Sequence, residues 1–319
     1  MSSNPNPNPN PISNSSLFRR GAPLPRPVLN IAHRGAASLA PENTLAAARK
    51  AYELNADLWE CDVRFTKDGV PILMHDLTLR RTTNVYRKFP TRAPWWVKSF
   101  TLEEIKRLDA GSWFNQIDPF GQIRAGAVSP EEREGYRGEP VPTLEEALRF
   151  TAEHGWRVNI EIKGAGHLPP RRLARAVLEV LERLGSGLKE RVLISSYDRR
   201  VLREIKRIKP EVPLAAVAFF RPADPQGYLE RLQVDAYHPG PLALDLRALP
   251  KLRELGFRVN VWTYDAPDRL RELASVGVTG IFTNFPQRLG PILEELFGPN
   301  PAEERASVAR SQAQVQAQA

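Results

Sequence analysis

Four short stretches carry side chains able to do chemistry together: His33-Arg34-Gly35, Glu60-Cys61-Asp62, His75-Asp76 and Glu161-Ile162-Lys163. Glu60 and Asp62 stand two apart within the apolar run DLWECDV, and Glu161 and Lys163 repeat that spacing within VNIEIK. Residues two apart on a strand share a face, so each pair points one way. Carboxylates seldom sit bare inside such runs, because burying an unpaired charge is costly. Three converging carboxylates, Glu60, Asp62 and Glu161, suit a hard divalent cation with oxygen ligands, Ca²⁺ or Mg²⁺. The structural alternative is a buried ion-pair network in which Lys163 neutralises Glu161 and Arg34 neutralises Glu60. His33 and His75, two of five histidines, suit acid–base work near neutral pH. Arg34 presents a fork of donors that matches phosphate oxygens, and Gly35 lets the backbone turn away directly after it. A cation with Arg34 and Lys163 would offset the charge of a phosphodiester passing to its five-coordinate transition state. His154, ending a predicted helix, and His167, in a predicted loop, receive no role.

These residues need strands to hold them. Apolar, β-rich runs are predicted at Val28–Ala32, Leu58–Val63, Val158–Ile162, Val192–Ser195, Leu214–Ala218, Ala236–His238, Phe257–Trp262 and Gly280–Thr283. Runs apolar nearly throughout belong to parallel sheets buried on both faces. Helical patterns alternate with them at Glu42–Leu54, Leu144–His154, Arg171–Leu184, Arg199–Ile208, Leu246–Leu255, Pro267–Val276 and Pro286–Leu296, several opened by a capping residue or an N1 proline. This alternation predicts an α/β fold, a (β/α)8 TIM-type barrel whose active site lies at the C-terminal ends of the strands. A doubly wound open sheet is the competitor, and no G-x-G-x-x-G follows the first strand to support its dinucleotide-binding version. A hairpin-like piece, Val70–Met74, leads to His75. An insertion over about 77–140, after the second strand region, breaks the rhythm; it holds Trp95, Trp96 and Trp113 and reads as a subdomain or lid over the barrel mouth.

Composition sets the outer limits. The chain has 319 residues, 42% hydrophobic and 26% charged, which allows a core without disulfides. Cys61, the single cysteine, excludes an intramolecular disulfide. Residues 1–27, rich in Pro, Asn and Ser, and 298–319 are expected to be disordered tails flanking a domain at 28–297. The N-terminus lacks the basic start and apolar run of a signal peptide, and no stretch reaches a membrane-spanning length. A cytoplasmic protein without a transmembrane segment is the expectation. The net charge of +8 is spread along helical segments and forms no tract, which argues against a nucleic-acid partner.

In order along the chain, Ile31-Ala32-His33-Arg34-Gly35, Pro41-Glu42-Asn43-Thr44, Glu60-x-Asp62, His75-Asp76-x-Thr78-Leu79-x-Arg81-Thr82-Thr83, Thr101-Leu102-Glu103-Glu104-Ile105, Pro142-Thr143-Leu144-Glu145-Glu146, Glu161-Ile162-Lys163, Trp262-Thr263 and Gly280-Ile281-Phe282-Thr283-Asn284 resemble the glycerophosphodiester phosphodiesterase family. The likeness covers about residues 28–297. It implies a barrel with a small insertion, and metal-dependent hydrolysis of a small-molecule glycerophosphodiester to sn-glycerol 3-phosphate and an alcohol. Carried across, it implies Glu60, Asp62 and Glu161 as ligands of one divalent cation, Ca²⁺ or Mg²⁺, and His33 and His75 as the acid–base pair. It implies substrate-binding roles for Arg34, Lys163, Glu42 and Trp262: Arg34 holds phosphate, Lys163 faces it, Glu42 orients His33 or Arg34, and Trp262 lines the glycerol or head-group side.

Two other readings fit the same residues. A lysophospholipase D-like or phosphoinositide-type phosphodiesterase would let Trp95, Trp96 and Phe100 contact acyl chains. A barrel that only binds phosphate or lipid would not need the full set of two histidines, three carboxylates, Arg34 and Lys163. The released alcohol, the choice of ion, which histidine is the base, direct water attack against a cyclic phosphate, and the oligomeric state are not encoded in these patterns.

Overall fold

The computed structural model describes residues 17–164 and 168–299. The apolar runs become strands β1 (Leu29–Ala32), β2 (Leu58–Phe65), β3 (Pro71–Leu73), β4 (Val158–Ile162), β5 (Val192–Ser196), β6 (Leu214–Ala218), β7 (Ala236–Pro239), β8 (Arg258–Val261) and β9 (Gly280–Thr283). The sheet runs β1-β9-β8-β7-β6-β5-β4-β2-β3, and β1 also pairs with β2, which closes the eight parallel strands into a barrel. Only β3 is antiparallel, folded back on β2 with Val63 opposite Leu73. The fold is therefore the expected (β/α)8 barrel, and the open sheet is excluded by the β1–β2 closure.

Alternation along each strand sorts the side chains. On β2, Trp59, Cys61 and Val63 face the surrounding helices and join the main core. Leu58, Glu60 and Asp62 alternate with them and face the barrel interior. Helices Leu45–Glu53, Leu144–Glu153, Pro170–Arg183, Arg199–Ile208, Leu249–Glu254, Pro267–Ser275 and Pro286–Phe297 lie close to the predicted patterns. The first begins later than expected because Thr44, whose side chain accepts from the Ala47 N–H, caps it. A further helix, Pro225–Leu232, fills the gap between β6 and β7; Asp224 caps it and Pro225 opens it.

The start of the packed chain differs from expectation. Phe18 is 3% exposed and packs with Leu29, Ile31, Leu58, Leu193, Ala215, Ala236 and Phe282, joined by Leu17 and Leu24. These are interior residues of the strands, so the segment stoppers the barrel end away from the site. Backbone contacts fix it: the Gly21 N–H donates to the Gly256 carbonyl at 2.9 Å, Arg258 donates to the Leu17 and Ala22 carbonyls, and Arg26 pairs with Asp57. Residues 17–27 thus belong to the packed chain and not to a tail. The rest of the expected N-terminal tail, residues 300–319 and His167 lie outside the described residues.

The insertion packs Leu79, Val85, Val97, Phe100 and Ile105 into a small separate core around Ile72 of β3. Phe114, Val128 and Tyr136 attach it to Leu39 and Ala40 in the loop after β1. Phe100 is fully buried and Trp95 donates from Nε1 to the Phe89 carbonyl at 2.8 Å. Burial removes Phe100 from any acyl-chain contact, which corrects that part of the lipid reading; Trp95 is half-buried and Trp96 is exposed.

Candidate active site

The C-terminal ends of β1, β2 and β4 bring the expected residues together. Asp62 stands directly across from Glu161 in the β2–β4 register, with Glu60 one inward position below. One oxygen from each of Glu60, Asp62 and Glu161 lies within 4.8 Å of the others. Glu60 and Asp62 are each 1% exposed. The backbone after β1 turns through left-handed conformations at Arg34 and Gly35, with φ of 54° and 82°. At Gly35 a Cβ would stand 2.6 Å from the Ala47 carbonyl carbon, so only glycine fits there. That turn aims the Arg34 N–H at Glu60 Oε2, 2.8 Å away.

The charges interlock. Arg34 Nη1 donates to Glu42 Oε1 at 2.8 Å and its Nε lies 3.2 Å from Asp62 Oδ2. Lys163 Nζ pairs with Glu161 and lies 3.0 Å from Asp62 Oδ1. Asn43, also left-handed at φ 57°, clasps Asp62 from both sides: its Nδ2 donates to Oδ2 and its Oδ1 accepts from the Asp62 N–H, each at 2.9 Å. Arg81, from the insertion, donates to both oxygens of Glu42 and to Asp76. The ion-pair alternative is thus realised for Lys163 and Glu161, whereas the Arg34 guanidinium turns to Glu42 and Asp62 and meets Glu60 only through its backbone.

This network does not satisfy the carboxylates. Glu60 Oε1 is buried without a hydrogen-bond donor, and a buried carboxylate oxygen left so is costly; Asp62 Oδ1 has only the Lys163 ammonium beside it, at 3.0 Å. Burial first, then Asp62 and Glu161, pushes the Glu60 carboxyl well up, and burial raises Glu161 too. Burial would also raise Asp62, but Lys163 and Arg34 hold it well below the usual range. Excess negative charge and an orphaned oxygen on all-oxygen donors are the conditions under which a hard divalent cation fits; the three carboxylates pass that test.

The two histidines flank this cluster and are held differently. His33 Nδ1 lies 2.8 Å from Asn284 Oδ1. The Asn284 backbone and side-chain N–H groups are both committed to Asp265, each at 2.8 Å. Its Oδ1 therefore accepts, His33 carries its proton on Nδ1, and Nε2 keeps a lone pair. Burial, then the neighbouring Arg34 charge, pushes His33 down to about 4. His75 instead places Nδ1 2.8 Å from the Asp76 carboxylate, and Arg81 steadies that carboxylate from behind.

Between them opens a cavity of about 240 Å³ lined by His33, Arg34, Glu60, His75, Glu161 and Lys163 on one side. Tyr197, Val217, Phe219, His238, Trp262 and Phe282 form the other. Tyr197 and Phe219 stack at 4.3 Å, and Trp262 stands edge-on to Phe219 at 5.1 Å. Of the expected residues, all but Asp62 and Glu42 line this cavity; those two stand behind Arg34. Asn43 and Arg81 lay unassigned within the quoted motifs. Tyr197, Phe219 and His238 stand at or just past inward strand ends, a positional signal that their types alone did not carry.

Comparison with known proteins places this geometry. A family model described as the glycerophosphoryl diester phosphodiesterase family matches residues 33–288. The chain belongs to that family. It is a phosphoric diester hydrolase by that membership. A glycerophosphodiester phosphodiesterase of Caldanaerobacter subterraneus is 33% identical over 82% of this chain and 96% of its own length. One from Bacillus subtilis is 33% identical over 82% and 85%. Among solved structures, a phosphodiesterase of Oleispira antarctica, in complex with the product sn-glycerol-3-phosphate, superposes with a TM-score of 0.70 at 28% identity over 83% of this chain and 96% of that one. In this family member, no helix among the described residues is long and apolar enough to cross a membrane.

Proposed function

We propose that this enzyme hydrolyses glycerophosphodiesters to sn-glycerol 3-phosphate and an alcohol. Glu60, Asp62 and Glu161 would hold one divalent cation, Ca²⁺ or Mg²⁺, which when bound supplies positive charge at the phosphate. The observation that carries the reading is the convergence of three carboxylates, one of them with an orphaned oxygen, beside a cavity flanked by His33 and His75.

Arg34 and Lys163 reach the cavity with their charge, and would meet the non-bridging phosphate oxygens as negative charge grows there. Glu42 orients Arg34 by a direct hydrogen bond. His33 Nε2, with its free lone pair, suits the base: it takes the proton from the attacking hydroxyl as the new P–O bond forms. His75 suits the acid, because a proton on Nε2 makes the ring an imidazolium that Asp76 faces directly. It gives that proton to the alkoxide as the old P–O bond breaks. The attacking oxygen is a water, or the glycerol 2-hydroxyl, whose cyclic product water then opens. Trp262 would back the organic half of the substrate.

A panel of glycerophosphocholine, glycerophosphoethanolamine, glycerophosphoinositol and lysophosphatidylcholine, assayed with Mg²⁺ or Ca²⁺ and read as glycerol phosphate released from the first three and lysophosphatidate plus choline from the last, tests the reading. Turnover of the water-soluble diesters is expected. Turnover of the lysolipid alone would overturn it.

A further inference from the structure

Across the barrel from the carboxylates lies a histidine that the reaction above does not use. His238 is the last residue but one of β7, which stands four strands from β2 in either direction round the barrel. The residue is 1% exposed and lines the cavity. Its ring packs edge-on against Phe282 at 5.0 Å.

A chain of hydrogen bonds beneath it fixes its protons. The Val259 N–H donates to Thr279 Oγ1 at 2.7 Å, and that hydroxyl donates to Asn260 Oδ1 at 2.7 Å. Only with the amide in this orientation does the Thr279 proton find an acceptor. Asn260 must then present its Nδ2–H to His238 Nε2, 3.1 Å away. Nε2 accepts, so the ring proton sits on Nδ1. Gly280 makes room for the amide: a Cβ there would stand 2.8 Å from Asn260 Oδ1. Nδ1 has no protein partner among the described residues, yet it is not sealed off as the unpartnered Asn159 Oδ1 is. His238 lines the cavity, which is where that N–H can find a partner.

We infer that His238 is a specificity-determining residue, a fixed neutral N–H donor that accepts no proton and reads a hydroxyl oxygen of the glycerol half of the substrate. The inference rests on the reading that the site takes glycerophosphodiesters. The phosphate belongs at the charged wall of β1, β2 and β4. The organic half must then cross toward β7, where the surroundings are Val217, Phe219, Trp262 and Phe282. A small polyol lays its carbon skeleton on such a wall, and one donor set among apolar groups discriminates sharply for an oxygen at that place. Burial pushes the ring down to about 3, in keeping with a group that stays neutral through the working range.

Two measurements test it. Histidine ¹⁵N NMR of the wild type at pH 7 should show His238 protonated at Nδ1; protonation at Nε2 overturns the inference whether or not any variant folds. Inhibition by sn-glycerol 3-phosphate and by propyl phosphate, which lacks both hydroxyls, is then compared against hydrolysis of bis(p-nitrophenyl) phosphate. In the wild type the glycerol compound should bind about tenfold tighter or more. His238→Leu should bring the ratio near one, and His238→Asn, which keeps a side-chain N–H near the Nδ1 position, should restore part of it. A ratio unmoved by His238→Leu sinks the donor while leaving hydrolysis of glycerophosphodiesters intact. A wild type that shows the ratio but releases no glycerol phosphate from any diester sinks the substrate reading and leaves the donor standing.

Discussion

His33 and His75 stand on opposite flanks of one carboxylate cluster, and their partners differ in charge: a neutral amide for His33, a carboxylate for His75. That asymmetry is the reason to divide acid from base between them. His33→Ala and His75→Ala should each lower kcat by a factor of ~10² or more, read by steady-state turnover of glycerophosphocholine. A variant turning over near the wild-type rate removes that histidine from the chemistry. The acidic pairs were legible in the sequence because E-x-D and E-x-K inside apolar runs have no cheap structural explanation. Asn43 and Arg81 were not, since an asparagine clasping both sides of an aspartate, and an arginine reaching from the insertion, depend on backbone turns that local composition does not specify. His238 was visible only as a strand end; its meaning comes from Thr279 and Asn260, which are distant in sequence and adjacent in the barrel.

At the scale of elements, the strands were readable because both faces of a parallel barrel are covered and the runs stay apolar. The helix Pro225–Leu232 was passed over despite its Asp-Pro opening, because QGYLERL buries only Leu229 and Leu232. The segment 17–27 was hidden by the polar composition around it: three apolar residues, Leu17, Phe18 and Leu24, suffice when a barrel end stands open to receive them. Phe18→Ala should therefore destabilise the chain by roughly 3–5 kcal/mol, seen as a lower urea midpoint. The cavity lies at the other end, so kcat at 25 °C should hold. An unchanged midpoint would mean the segment merely rests on the barrel. The insertion contributes Arg81, which ties Asp76 to Glu42. Arg81→Met should loosen His75 and lower kcat by roughly tenfold to a hundredfold with little change in the thermal midpoint, since the residue is partly exposed and the insertion keeps its own core.

For the whole molecule, the buried polar interior sets a pH dependence. His238 has a folded value of about 3 against an ordinary 6.5. Below pH 6.5 the unfolded chain binds a proton there that the folded chain does not. Stability is thus full above 6.5 and falls as pH drops toward 3, by up to about 1.4 kcal/mol per unit from this group. Asp76, whose carboxyl burial would raise but His75 and Arg81 hold low, adds its loss only below about pH 4. His33, pushed down to about 4, adds a like slope over the same range. Urea midpoints between pH 6.5 and 5 should therefore slope in the wild type, and the slope should fall by roughly half in His238→Gln; equal slopes would assign the acid sensitivity elsewhere. The central claim concerns charge at the other wall: Glu60, Asp62 and Glu161 together hold one divalent ion that hydrolysis requires. Its most direct test is metal content by elemental analysis beside turnover in chelator, for the wild type and Glu60→Gln. The account predicts one ion per wild-type chain, loss of turnover in excess chelator with recovery on adding Mg²⁺ or Ca²⁺, and neither ion nor recovery in Glu60→Gln. Undiminished turnover of the wild type in excess chelator would contradict it.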